Sequence, residues 1–170
     1  MISRVLDADE GEILYRGRSI KNVRPSSLAR IGIARTFQTP VLIPEKSVVE
    51  NIMVGVQDDD FKQYVGKLLG TPGARRKERE LRQQALQVLD EMGLTEIADT
   101  TVSELPFGYW RLVEIARALI KKPKVLLLDE PSAGLTEEEM DQLSLLIHRI
   151  KRDGVAVVLI AHHIRFVMNI

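Results

Sequence analysis

Cysteine is absent from all 170 residues, which rules out both a disulfide framework and a thiolate metal centre. Net charge is absent too, because 24 basic residues are matched by 24 acidic ones. That balance gives no electrostatic reason to expect nucleic acid or anionic lipid as a partner. Long hydrophobic runs are also missing. The longest strongly apolar stretch, Val155 to Ala161, is far too short to cross a bilayer. The N-terminal MISRVLDADEGE lacks the apolar centre of a secretory signal, and no internal repeat or low-complexity tract occurs. What is left, 45% hydrophobic and 28% charged, is an ordinary globular composition that can bury one core with a small attached subdomain. On these grounds the chain reads as cytosolic.

The local signals alternate between strands and helices. Glu12 to Tyr15 reads as a short strand with Gly17 as its turn. Ser26 and Ser27 are expected to cap a short helix through Arg30, which Gly32 ends. Ile33 to Phe37 reads as a second strand with Gln38 at its end, followed by a proline-containing loop, Thr39 to Lys46. Ser47, with Glu50 three residues on, predicts a capping box and a helix carrying Val48, Ile52 and Val56 on one face. Asp58 to Asp60 and the Gly70–Gly73 region form a polar, turn-rich passage with no assignable chemistry. The basic run Arg75 to Arg79 reads as a solvated helix face, because Leu81, Ala85, Val88, Leu89 and Met92 trace an apolar stripe behind it up to Gly93. Leu112, Ile115, Ala116 and Leu119 share a face of a helix starting near Gly108 and barred from extension by Pro123. Thr136 caps a further helix with a Met140, Leu143, Ile147 and Ile150 stripe, ended by Gly154.

The most informative stretch is KVLLLDEPSAGLT, Lys124 to Thr136. Val125 to Leu128 fit a strand buried on both faces of a parallel sheet. That strand runs directly into Asp129 and Glu130 before Pro131 ends it. Ligands of open α/β sheets bind at this C-terminal edge. Two adjacent carboxylates there can divide phosphate chemistry, one steadying a metal ion and the other orienting a water. The apolar run Val155 to Ala161 should pair with it in parallel and leave His162 and His163 at its end. Gln38, Asp129, Glu130 and His162 are therefore expected along one edge of one sheet. Residues from about 45 to 105 read as mainly helical, too many for a plain crossover, and look like an inserted helical subdomain.

Taken in order, these segments resemble the nucleotide-binding subunit of an ABC transporter. LARIGIARTFQTPVLIPEKSVVENIMVG is similar to the Q-loop region, and VSELPFGYWRLVEIARAL to the signature loop and its helix. KVLLLDEP resembles Walker B, SAGLT the D-loop and VVLIAHH the H-loop strand. The RTFQTP and VEIARAL wording is most like the branched-chain amino acid uptake subfamily. The resemblance implies an α/β, P-loop NTPase-like (RecA-like) parallel-sheet core from residues 1–44 and 106–170. A helical subdomain over 45–105 would end at the signature loop. The implied cofactors are ATP and Mg²⁺. Gln38 would contact the Mg²⁺ shell and the attacking water, Asp129 would hold Mg²⁺ through water, Glu130 would polarise the water and His162 would bond the γ-phosphate. Leu105, Pro106, Phe107, Gly108 and Tyr109 would face the ATP of a second ATPase subunit, with Gly134 and Leu135 in the D-loop. Implied partners are that second subunit, transmembrane permeases gripped by the 39–57 segment and, indirectly, an external substrate-binding protein. The implied location is the cytoplasmic face of the membrane.

The sequence departs from the family pattern in several places. Pro106, Phe107 and Tyr109 replace residues of the usual LSGGQ, and Thr136 stands where the D-loop aspartate is expected. No G-x-x-x-x-G-K-[ST] phosphate cradle occurs in the chain. Family order would put it just upstream of Met1, and the closing strands after Ile170, so the core is expected to be incomplete at both ends and inactive alone. A non-catalytic remnant that only docks a permease or partner subunit is the alternative. An ABC-type ATPase of DNA maintenance would carry long coiled-coil insertions and a basic surface, which this sequence lacks.

Overall fold

The computed structural model describes residues 10–37, 39–56 and 72–170. Gln38 and the acidic stretch Asp58 to Asp60, which the sequence singled out, lie outside the described residues.

The chain opens with a small hairpin, β1 (Leu14–Tyr15) and β2 (Arg18–Ser19), paired antiparallel. Its two-residue turn has Arg16 at φ 52° and Gly17 at φ 73°, the positive pair that matches strand twist in a tight hairpin. The strand expected from Glu12 is therefore shorter; beyond Leu14 its pairing is carried by Ile20 N–H donating to the Ile13 carbonyl (3.1 Å). The short helix resolves into two single 3₁₀ turns, Pro25–Ser27 and Ala29–Ile31. Ser26 and Ser27 are not its caps, a correction to the expectation. Arg24 holds the cap position without a side-chain bond, and Pro25 opens the turn with its fixed φ. Gly32, at φ 94°, ends the segment as expected.

Three strands form one parallel sheet in the order β3 (Ile33–Arg35), β4 (Val125–Asp129), β5 (Ala156–Ile160). The register sets Ile33 against Val125, Val125 against Ala156 and Asp129 against Ile160. The central β4 is buried as its apolar run requires, and alternate side chains enter different cores. Leu126 and Leu128 join the large helix-covered cluster, while Leu127 packs with Ile20, Leu28 and Ile33 beneath the hairpin. β5 forms one edge of the described sheet, and Val158 and Ile160 on it are exposed.

The α-helices among the described residues are α1 (Val48–Val54), α2 (Pro72–Met92), α3 (Phe107–Leu119), α4 (Glu137–Arg152) and the short α5 (Ile164–Met168). The expected capping box forms at Ser47 with Glu50, and the Thr136 cap is completed as a box by Glu139. The α2 stripe Leu81, Ala85, Val88, Leu89 and Met92 is buried, as are Leu143, Ile147 and Ile150 of α4. α1 stops at Val54, so Val56 reaches the core from the turn that follows. None of the described helices is long and apolar enough to cross a membrane.

The Ser47–Glu50 box makes a pH prediction. The Ser47 backbone N–H first, then Lys46, hold the Glu50 carboxyl below the ordinary carboxylate range. A depressed folded-state value means the contribution is full above the unfolded value and is lost as pH falls through the folded one. The stability gap between the wild type and Glu50→Gln in urea melts should therefore be full at neutral pH and close below about pH 4. A gap that widens in acid would contradict the box as its source.

Candidate functional site

The rim at the C-terminal end of the sheet gathers polar side chains from β3, from β4 and from the segment just after β5. Asp129, the last residue of β4, accepts a bond from Arg35 Nη2 of β3 at 3.2 Å, with both side chains about one-quarter to one-third exposed (25% and 30%). Glu130 turns the other way, and its Oε1 lies 2.8 Å from His162 Nε2, just beyond β5. The backbone makes this divergence possible. Glu130 has φ 45°, a left-handed conformation uncommon for any residue but glycine and costing on the order of 1 to 3 kcal/mol. It is held there by its own N–H on the Ile160 carbonyl (2.7 Å) and by the Ala133 N–H on its carbonyl (3.1 Å). The structure thus brings Asp129, Glu130 and His162 to one edge. His163 follows as the cap residue of α5.

β3 ends two residues before the strand expected to reach Phe37, and the cause is visible. Thr36 N–H still bonds Leu127 O (3.0 Å), but Phe37 N–H leaves the sheet for Glu114 Oε1 of α3 at 2.9 Å. Arg111 of the same helix donates to the Phe37 carbonyl at 2.6 Å. Sequence reasoning missed both Arg111 and Glu114, since neither is apolar yet both are buried on the core-facing side of α3. It also missed Asn51. This buried amide accepts from Ile43 N–H (2.8 Å) and donates to the carbonyls of Ile43 and Ser47 (both 3.0 Å), fixing the loop before α1.

The loop from Leu105 to Tyr109 leads into α3. Leu105 accepts from Trp110 Nε1 at 3.2 Å, and Pro106 is the cap residue, extended and without a side-chain bond to the helix. The first turn of α3 is therefore not capped by a side chain, which leaves N–H groups for an anion. Two close approaches join this loop to the segment after β4, one in its loop and one in the first turn of α4. A side chain on Gly134 would meet the Phe107 ring at 3.4 Å. One on Gly108 would collide with Glu139, whose carboxylate caps α4 through Thr136. Thr136 supplies the helix cap where the family pattern has an aspartate, and Leu135 packs on the main core.

Among the described residues, no cluster of three or more His, Asp or Glu side chains is arranged to hold a metal ion. Mg²⁺ takes one or two carboxylates and completes its shell with water and substrate phosphate. Asp129 offers one such carboxylate at the rim, with its Oδ2 bonded to Arg35.

A three-stranded parallel sheet with an acid pair and an imidazole at its C-terminal rim is a P-loop NTPase-like core. A family model described as ABC transporter matches residues 1–133. The high-affinity branched-chain amino acid transport ATP-binding protein BraF of Pseudomonas aeruginosa is 38% identical over 161 residues, covering 94% of this chain and 63% of that protein. A nucleotide-free ATP-binding cassette from an ABC transporter matches with TM-score 0.81 and 31% identity, over 99% of this chain and 66% of that one. An ATP-binding cassette solved in its ADP conformation matches with TM-score 0.79 and 32% identity, over 96% of this chain and 64% of that one. The chain belongs to the ABC transporter family, and it spans 63% of the length of BraF.

Proposed function

We propose that these residues are part of an ATP-hydrolysing subunit that drives import of branched-chain amino acids. The observation that carries hydrolysis in this reading is the 2.8 Å contact between Glu130 and His162, with Asp129 beside it on the same sheet edge, while the likeness to BraF supports the import part. Glu130 takes the proton of the attacking water, and His162 donates to the terminal phosphate. Asp129 would hold Mg²⁺, which would supply charge neutralisation at the phosphates when bound. Gln38 would join Asp129 in holding that ion and would report nucleotide state to the membrane partner. The uncapped first turn of α3, reached through Leu105 to Tyr109, faces ATP held by a second ATPase subunit. Gly134 and Leu135 shape the adjoining D-loop.

Residues 45–105 form the helical subdomain of this reading, and 1–44 with 106–170 the RecA-like core. Two such subunits sit against permeases at the cytoplasmic face, with a substrate-binding protein outside. The segment from Thr39 to Gln57 grips the permease; Val41 and Ile43 in it are exposed apolar residues. Replacing Pro40–Ile43 with glycine and serine in the full-length subunit should cut leucine uptake at least about tenfold. Basal ATP hydrolysis should stay within about twofold. Equal loss of both would remove the coupling role.

One observation favours a second reading. Residues 1–170 contain no G-x-x-x-x-G-K-[ST], so by themselves they lack the usual cradle for nucleotide phosphates. In that reading the chain docks a permease or partner without turning over ATP.

A further inference from the structure

The ion pair between Arg111 and Glu114 is the most deeply buried charge among the described residues, with side chains 1% and 2% exposed and a 2.9 Å contact. Burying two charges is expensive, and packed apolar side chains of similar size would stabilise the helix at least as well. The pair therefore calls for a reason beyond stability. Its remaining bonds supply one, because both partners reach the main chain of Phe37. Glu114 Oε1 takes the Phe37 N–H while its Oε2 takes Arg111, and Arg111 Nη1 donates to the Phe37 carbonyl. One turn further along α3, Arg117 donates to the Val41 carbonyl. Burial pulls the Arg117 pKa below its ordinary value, and nearby Glu114 partly restores it. Three charged residues on one face of α3 thus hold the backbone on both sides of Gln38.

The hold continues past Phe37. Its ring lies under the Arg35 guanidinium, 4.9 Å from carbon to ring centroid, and Arg35 is the partner of Asp129. An unbroken series of contacts runs from the helix behind the signature loop, through Phe37 and Arg35, to the rim carboxylate. We propose that Arg111 and Glu114 are positioning residues: a rigid clamp that ties the orientation of α3 to the segment carrying Gln38. A movement of α3, whose first turn faces a partner's phosphate, would then be transmitted to the water-handling side of this chain's own site. This inference rests on the role proposed for Gln38.

The test pairs a structural readout with a kinetic one. The double variant Arg111→Met with Glu114→Leu replaces the pair by apolar bulk and should still fold, because neither charge is left alone. Arg111→Leu with Glu114→Met, which again removes both charges together, serves if it does not. In either, amides from Phe37 to Ile43 should exchange with deuterium at least about tenfold faster while those of β4 stay protected. Wild-type exchange in that segment would overturn the clamp. In the full-length subunit assembled with its permeases, kcat for ATP should fall about a hundredfold with little change in KM. Combined with Gln38→Ala, the clamp variant should lower kcat no further. An equal additional loss in the Gln38→Ala background would overturn the proposal, since the pair would then act by another route. Wild-type turnover in Gln38→Ala alone would instead remove the reading of Gln38 and leave the clamp to the exchange data.

Discussion

Replacing Glu130 with glutamine should leave the rim standing and stop the chemistry. The amide matches the carboxylate in shape and still offers an oxygen to His162, now 2.8 Å away. The left-handed backbone at φ 45° and its flanking bonds to Ile160 and Ala133 do not involve the side chain. What would be lost, in the role proposed for Glu130, is the capacity to accept a proton from the attacking water, a contribution of about 10² to 10⁴ in rate. ATP turnover by the full-length subunit should fall by that factor, nucleotide affinity should be retained, and uptake should stop. Turnover within about tenfold of wild type would show that another group activates the water. The same variant separates the two functional readings, because a docking remnant would lose nothing when Glu130 becomes glutamine.

Gly55→Ala should be among the most damaging single-methyl changes in the fold. Gly55 closes α1 at φ −58°, an ordinary helical value that alanine adopts freely. At an open helix end the change would stabilise by about 0.4 to 1 kcal/mol. Here the new methyl would sit 2.5 Å from the Arg117 carbonyl oxygen and 2.8 Å from its Cγ. The first of these neighbours is backbone of α3 and cannot swing aside, so the two helices must part. Overpacking of this kind costs about 1 to 3 kcal/mol, and the net expectation is a loss of about 2 kcal/mol. That corresponds to a fall in Tm of about 5 °C for a chain of this size. Gly73→Ala is the control: Gly73 lies within α2, and nothing stands within 4 Å of the added methyl. It should stabilise by about 0.5 to 1 kcal/mol. If both glycines respond alike in urea melts, the tight α1–α3 approach is not what sets the effect.

Much of this architecture could be read before any coordinates. Val125 to Leu128 announced a doubly buried strand, and Asp129, Glu130 and Pro131 announced where it stops. Ser47 with Glu50 and Thr136 with its acidic first turn are local signals, complete within a few residues, and both helices begin where they indicate. Signals that depend on distant partners were illegible. Nothing near Phe37 reveals that Glu114, 77 positions away, will draw its amide out of the sheet and shorten β3. Arg35 and Asp129 are 94 positions apart, and neither predicts the other. Arg111 and Glu114 were passed over because amphipathic patterning assigns charge to the solvent face, whereas these two satisfy each other and a main chain within the core. Ser26 and Ser27 misled for the opposite reason: good cap residues were available, but Pro25 had already fixed where the turn starts.

The alternation along β4 separates neighbours that touch through a single peptide bond. Leu126 and Leu128 answer to the helices, Leu127 to the hairpin and Leu28. The strand works as a party wall, with a tenant on each side and no shared room. Drift among residues beneath the hairpin is thereby insulated from the helical side, and the carboxylates at the wall's end keep their footing when either tenant redecorates.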